Sequence, residues 1–158
     1  RILDQNLAHM AEIVKKDLGR DIINLKGAGA AGGMGGGMAA FFGSKLQMGI
    51  ETVLDAVHFN ELLDGADLVF SGEGKIDSQS LGGKVVIGVA RRTKKKGVPL
   101  IAIVGDIGDD IEGVYDEGVS AIFSINRVAI PFSEAKLRSK SDLALTMDNL
   151  MRFISLYR

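Results

Sequence analysis

The sequence contains no cysteine. Disulfides, thiolate nucleophiles and zinc–sulfur sites are therefore excluded. No apolar run approaches the roughly 18 residues of a membrane-spanning helix, so no membrane partner is expected. Excess charge is also missing: 19 Lys and Arg stand against 20 Asp and Glu, a formal net charge of −1. Such a chain has no bulk attraction for nucleic acid or for an acidic membrane surface. No signal peptide is expected either, because the opening RILDQNLAHMAEIVKKDLG reads as an amphipathic stretch of mixed charge. These absences suit the cytoplasm. An initiating methionine is lacking, and Arg1 is followed at once by a helical stripe of Ile2, Leu3, Leu7, Met10, Ile13 and Val14. The chain is therefore expected to be a piece of something longer.

What is present is an ordinary globular composition, 46% hydrophobic and 25% charged over 158 residues. The 21 glycines are unevenly placed. Residues 27–43, GAGAAGGMGGGMAAFFG, carry many of them and no charge. Ordered glycine costs about 0.5–1 kcal/mol more than alanine in a regular element, so the segment needs a reason.

Along the chain, a first helix is expected to run to Leu18, with Gly19 as its stop. Residues 21–26, DIINLK, read as a short strand. The glycine-rich segment follows, then a helix from Ile50 to Leu63. From there the pattern changes to short apolar runs separated by helices. The runs are 66–70 (ADLVF), 98–104 (VPLIAIV) and 119–125 (VSAIFSI). The intervening helices are expected at 84–96 and 110–117, with a long one from Ser133 to Leu156 broken near Ser139. Five- to seven-residue apolar runs alternating with helices mark buried parallel strands with right-handed crossovers. Residues 65–158 thus read as β-α-β-α-β-α, with a domain boundary at Asp64-Gly65.

Gly27, Gly29 and Gly32 match G-x-G-x-x-G. The dinucleotide reading needs an apolar strand before that motif and a second strand after its helix. Neither is present, and no Walker A motif fits. A more general reading survives: glycine lets successive backbone N–H groups approach an anion. Its competitor is close packing of two backbones. The loop SGEGKIDSQSLGGK at 71–84 carries Glu73, Asp77, Lys75, Lys84 and three serines where an open α/β sheet binds its ligand, beyond the strand's carboxyl end. Lys84 at a helix start opposes the helix dipole, and a phosphate pairing with both would remove the conflict. In GDIGDD at 105–110, Asp106 stands where it could hold magnesium through water. The plainer reading there is turn chemistry, with Asp109 or Asp110 capping the next helix. The basic cluster Arg91, Arg92, Lys94, Lys95 and Lys96 lacks interleaved aromatics and lies at a helix C-terminus, which favours a solvated end over nucleic-acid binding. His9 and His58 read as surface residues.

The segments GAGAAGGMGGG at 27–37, LLDGADLVFSGEGKIDSQSLGGKVVIGVARR at 62–92 and VPLIAIVGD at 98–106 resemble the bacterial glycerate kinase family. The resemblance spans nearly the whole chain but only the C-terminal part of that family's proteins. It implies two α/β domains, one inserted in the other. Residues 1–64 would end the inserted domain. Residues 65–158 would be the C-terminal half of a flavodoxin-like, three-layer parallel-sheet domain whose first strands come from a missing N-terminal part. It also implies transfer of the γ-phosphate of ATP, with Mg2+, to a hydroxyl of D-glycerate in the cleft between domains. The family's acidic loop maps onto Ser71 through Gln79, and its glycine-lysine pair onto Gly83-Lys84. Lys75 and Ser80 stand where arginine and threonine are also common in the family. The family's N-terminal aspartate, serine and lysine motif has no counterpart here.

On this reading Asp77 is the expected base, or the group that orients the glycerate hydroxyl. Glu73 is the second choice, or a magnesium ligand through water, and Lys84 and Lys75 neutralise phosphate or the substrate carboxylate. Gly27, Gly29, Gly32, Gly33 and Gly35, with Ser71, Gly72, Gly74 and Gln79, make up the expected anion- and substrate-binding surface. No direct metal ligand is expected. The competing class is a non-catalytic α/β scaffold that completes its sheet with another chain or with a second copy in a homo-oligomer.

Overall fold

The computed structural model describes residues 2–157; Arg1 and Arg158 lie outside them. The chain divides into two compact units, one ending at Gly49 and the other starting at Ile50.

In the first unit, helix α1 (Ile2–Leu18) presents Ala11 and Val14 to Ile22 and Ala40. The strand expected at 21–26 is a pair of turns instead. The Asp21 carboxylate accepts the Ile23 N–H, and the Leu25 N–H reaches the Ile22 carbonyl. Among the described residues this segment has no neighbouring strand, and Ile22 is buried against α1 and Ala40. The glycine-rich segment is largely helical: α2 spans Ala30–Phe42, with a left-handed kink at Ala31, Gly32 and Gly33. Gly43, at φ 65°, closes it, and the Arg20 guanidinium donates to the Ala40 carbonyl at 2.6 Å. That bond satisfies one of the orphan carbonyls of a helix end.

In the second unit, the helix expected at 50–63 is broken in two, α3 (Gly49–Ala56) and α4 (Phe59–Leu62), by the left-handed His58. Both histidine side chains are three-quarters exposed, in line with surface residues. Leu54 joins the core of the second unit, and Arg92 of α5 donates to Glu51 and Asp55. Residues 50–63 therefore pack with the α/β segment that follows them, whereas the sequence grouped them with the segment before.

Three parallel strands form one sheet in the order β1 (Val69–Ile76), β2 (Leu100–Ile107), β3 (Ala121–Ser124). They alternate with α5 (Val85–Lys96), α6 (Glu112–Asp116) and α7 (Phe132–Ser155). Leu100, Ala102 and Val104, every second residue of β2, bury against Val86, Ile87 and Ala90 of α5. Val86 and Ile87 are fully buried, worth about 2 kcal/mol each. A twelve-residue helix that opens on three β-branched residues is marginal alone, so this packing, not propensity, holds α5.

Two strands run further than their apolar runs. β1 was expected to stop at Phe70 and β2 at Val104, yet pairing continues from Val69↔Leu100 to Ile76↔Ile107. Glycine explains the extension. A Cβ on Gly72 would lie 2.5 Å from the Ile103 carbonyl oxygen, and one on Gly105 would lie 2.5 Å from that of Gly74. The backbones approach closer than any side chain allows. α7 is one continuous helix, without the break expected near Ser139; the Ser139 and Ser141 hydroxyls donate within it to the carbonyls three residues back. α6 is shorter than expected and is preceded by Ile111. Asp110 takes a left-handed φ of 54°, and neither Asp109 nor Asp110 caps it.

Candidate active site

The extension of β1 moves five candidate residues from an expected loop onto a strand: Ser71, Gly72, Glu73, Gly74 and Lys75. Alternation from Val69, which packs on the core, puts Ser71 and Glu73 on the face that α5 covers. After Ile76 the chain enters a short 3₁₀ turn, Ser78–Gly82, and then α5. Its start is an Asp-x-x-Ser reciprocal cap. The Gln79 N–H donates to Asp77 Oδ1 at 3.0 Å, and the Asp77 N–H donates to Ser80 Oγ at 3.2 Å. Gly83, at φ 96°, turns the chain so that Lys84 precedes α5 in extended conformation.

These elements bring Glu73, Asp77 and Lys84 together. Lys84 Nζ lies 3.6 Å from Asp77 Oδ1. A lysine at a helix start is thereby partnered by a carboxylate, which relieves part of its conflict with the dipole. Glu73 Oε1 is fully buried and has no hydrogen-bond partner among the described residues. Burial pushes the Glu73 carboxyl above its ordinary value. The Lys84 charge and the nearby Ser80 hydroxyl act the other way, and the Asp77 charge adds to the rise. Asp77 commits Oδ1 to the cap, while Oδ2 makes no hydrogen bond among the described residues. Lys75 does not join this group: it lies 3.6 Å from Asp106 across the β1–β2 pair. Asp106 also accepts the N–H of Ile107, the last residue of β2. Gly108 lets the next loop lie against Asp77, because a Cβ there would be 2.9 Å from that of Asp77. Gln79 contributes its N–H to the cap.

In the first unit the expected anion-binding glycines sort into two kinds. Gly33 and Gly35 are packing positions, since a Cβ on either would lie 2.4 Å from Leu7 Cδ2 or from the Gly27 carbonyl oxygen respectively. The Gly33 N–H already donates to the Gly29 carbonyl. Gly27 contacts Leu46, whereas Gly29 and Gly32 have nothing within 4 Å.

The basic cluster is internally employed. Arg91 donates to Glu117, Arg92 to Glu51 and Asp55, Lys94 to the Asp116 carbonyl and Lys96 to Asp64. Sequence reasoning missed Ser80 as a member of the site. The signal was there in Asp77-Ser78-Gln79-Ser80, a cap pattern with a hydroxyl three residues after an aspartate.

A family description, "Glycerate kinase family", matches residues 1–155. The chain belongs to the glycerate kinase family. Over 150 residues it is 43% identical to a glycerate kinase of Halalkalibacterium halodurans, covering 95% of this chain and 40% of that protein. Over 123 residues it is 49% identical to a glycerate 2-kinase of Escherichia coli, covering 78% of this chain and 32% of that protein. A solved structure assigned as glycerate kinase 2 of Salmonella typhimurium LT2 superposes with a TM-score of 0.72 at 37% identity, covering 94% of this chain and 38% of that one. This glycerate kinase family chain thus spans two-fifths or less of the length of these relatives. No helix among its described residues is long and apolar enough to cross a membrane.

Proposed function

We propose that the complete protein carrying this chain transfers the γ-phosphate of ATP to a hydroxyl of D-glycerate, giving phosphoglycerate, in the cytoplasm. The observation that carries the reading is the constellation of Glu73, Asp77 and Lys84 at the carboxyl-terminal end of β1. Phosphoryl transfer needs positioning, charge neutralisation and a carboxylate to take the hydroxyl proton. Asp77 is suited to that last role. Its backbone and Oδ1 are fixed by the cap, which leaves Oδ2 to accept the proton. Lys84 neutralises a phosphate or the substrate carboxylate, and Lys75 supplies a second cation on the neighbouring strand pair.

The donor set is consistent with a nucleotide and magnesium. Two lysines suit phosphate oxygens, and Asp106 and the orphan oxygen of Glu73 suit a hard cation reached through water. Bound there, magnesium supplies charge compensation on the phosphates. Changing Asp77→Asn in the complete protein is expected to lower kcat at least tenfold, about 1.4 kcal/mol of barrier. A smaller loss removes Asp77 from the role of base.

A second reading has its own observation. β1 and β3 are unpaired edges among the described residues. Phe132, Leu143 and Met147 of α7 also face Phe70 and Ile103 across a cavity of about 700 Å³. A scaffold completed by another chain would account for both. Calorimetric titration with ATP-magnesium and D-glycerate separates the readings: heat and turnover support the kinase, whereas concentration-dependent oligomers with neither support the scaffold.

A further inference from the structure

Residues of β1, β2, α7 and the loop after β3 line a cavity of about 200 Å³ that includes none of Glu73, Asp77 and Lys84. Gly74 and Gly105 give it bare peptide on the sheet side, and a Cβ on Gly74 would meet nothing within 4 Å. Ile125, Ile130 and Phe132 supply apolar surface. Phe132 is nonetheless 79% exposed, so its ring is largely free to stack on something else. Asn126, Lys136 and Ser139 are polar members of the same lining. The Ser139 hydroxyl gives its hydrogen to the Lys136 carbonyl, which leaves its oxygen to accept. Among the described residues the Lys136 ammonium has no ion pair, and the Asn126 side-chain amide has no hydrogen bond. The loop that carries Asn126 and Ile130 is held in place by Arg127, whose Nε donates at 3.1 Å to the buried Asp142 of α7.

Bare peptide, an exposed aromatic ring, and donors and an acceptor together are what a nucleobase uses: faces to stack and an edge to hydrogen-bond. A small hydroxy acid has no use for the apolar surface. The cavity also leads to the transfer residues. Asp106 lines it and lies 3.6 Å from Lys75. Gly108 borders both Lys75 and Asp77, since a Cβ there would be 3.3 Å from Lys75 Cε and 2.9 Å from Asp77 Cβ. Lys84 follows, 3.6 Å from Asp77. Two cations along this path complement a phosphate chain. We propose that the cavity binds the purine base of the phosphoryl donor, with Phe132 against the ring and Asn126 and Lys136 on its edge. The phosphates then run over Lys75 towards Lys84 and Asp77.

The phosphate path rests on the kinase reading, and the base pocket is tested without it. Calorimetry on the complete protein uses ATP-magnesium and inorganic tripolyphosphate-magnesium, and saturation-transfer NMR uses adenosine. Phe132 and Asn126 are exposed, so replacing either leaves the core filled. Phe132→Ala and Asn126→Ala are expected to weaken ATP about tenfold or more, to leave tripolyphosphate within about twofold and to remove the adenosine signal. Lys84→Ala is expected to weaken ATP and tripolyphosphate together. Equal losses of ATP and tripolyphosphate in the two pocket variants overturn the proposal. So does ATP or adenosine binding that ignores both substitutions, and in a protein that turns over glycerate this result leaves the kinase reading standing. Adenosine binding that depends on Phe132 in a protein without turnover refutes the kinase reading and supports the pocket. A parent that binds neither ATP nor adenosine overturns both.

Discussion

Replacing Gly105 with alanine tests whether glycine is what extends the sheet into the site. The added Cβ would sit 2.5 Å from the Gly74 carbonyl oxygen. A comfortable carbon–oxygen contact is about 3.3 Å, so the strands must part by roughly 0.8 Å. A backbone carbonyl inside a ladder cannot swing away as the end of a side chain can. Overpacking costs about 1–3 kcal/mol, and loss of one ladder hydrogen bond adds about 1 kcal/mol. The sum, about 2–4 kcal/mol, lowers Tm by roughly 5–15 °C for a domain of this size. Gly74, which the register places opposite Gly105 in the facing strand, supplies the control. Nothing lies within 4 Å of a Cβ there, and removing a glycine from the unfolded chain gains up to about 1 kcal/mol. Gly74→Ala is therefore expected to be neutral or mildly stabilising. Urea unfolding of the two variants beside the parent reads the difference directly. Unfolding free energies within about 1 kcal/mol of one another would refute the close-approach argument.

Glu73 gives a pH-dependent outcome. Its folded pKa is raised by burial, so the cost of its buried charge is fully present above that pKa. The cost is relieved as pH falls through it towards the unfolded value. Glu73→Gln should raise Tm at neutral pH, by an amount that shrinks on acidification, and a constant difference across the pH range would contradict this. Asp142 has the opposite sign. It is buried on α7 and accepts from Arg127 and Arg138, and the Arg127 guanidinium holds its carboxyl below the usual range. Its contribution is present above the unfolded pKa and lost as pH falls through the folded one. Thermal melts of Asp142→Asn against the parent should therefore differ at neutral pH and converge in acid. Gly29→Ala should leave stability within about 0.5 kcal/mol of the parent while weakening nucleotide or substrate binding, as read by calorimetry.

The α/β alternation was legible because packed parallel strands leave apolar runs, and each of the three runs contributes to a strand, although residues 66–68 precede β1. Their ends were not legible. SGEGKI carries a serine, two glycines and two charges, which is loop chemistry by any local rule. It is a strand because Gly72 and Gly105 let two backbones come together, a fact that belongs to the pair and not to either segment. DIINLK misled in the other direction. Its isoleucines and leucine look like a strand, but the described residues offer it no partner, so it folded into turns under α1. The same distinction applies to the site. Glu73, Asp77 and Lys84 were visible as a dense run of chemistry beyond a strand. Ser80 was hidden because a buried serine is defined by what surrounds it.

The glycine-rich segment shows how packing narrows a functional reading. Gly33 is required by its φ of 94°, with the Leu7 side chain against it, and Gly35 is required by the Gly27 carbonyl. Neither needs a ligand to explain it. Gly32 is accounted for by its left-handed φ of 68°. Gly29 is different: it is right-handed at φ −76°, and a side chain there would meet nothing. Strain and crowding both permit alanine at that position, the N-cap of α2, where the anion reading would use bare backbone. An anion reading built on all five glycines would be satisfied by packing alone. Restricted to Gly29 and the amides beside it, the reading makes a claim that packing does not: Gly29→Ala should cost binding and leave the fold untouched.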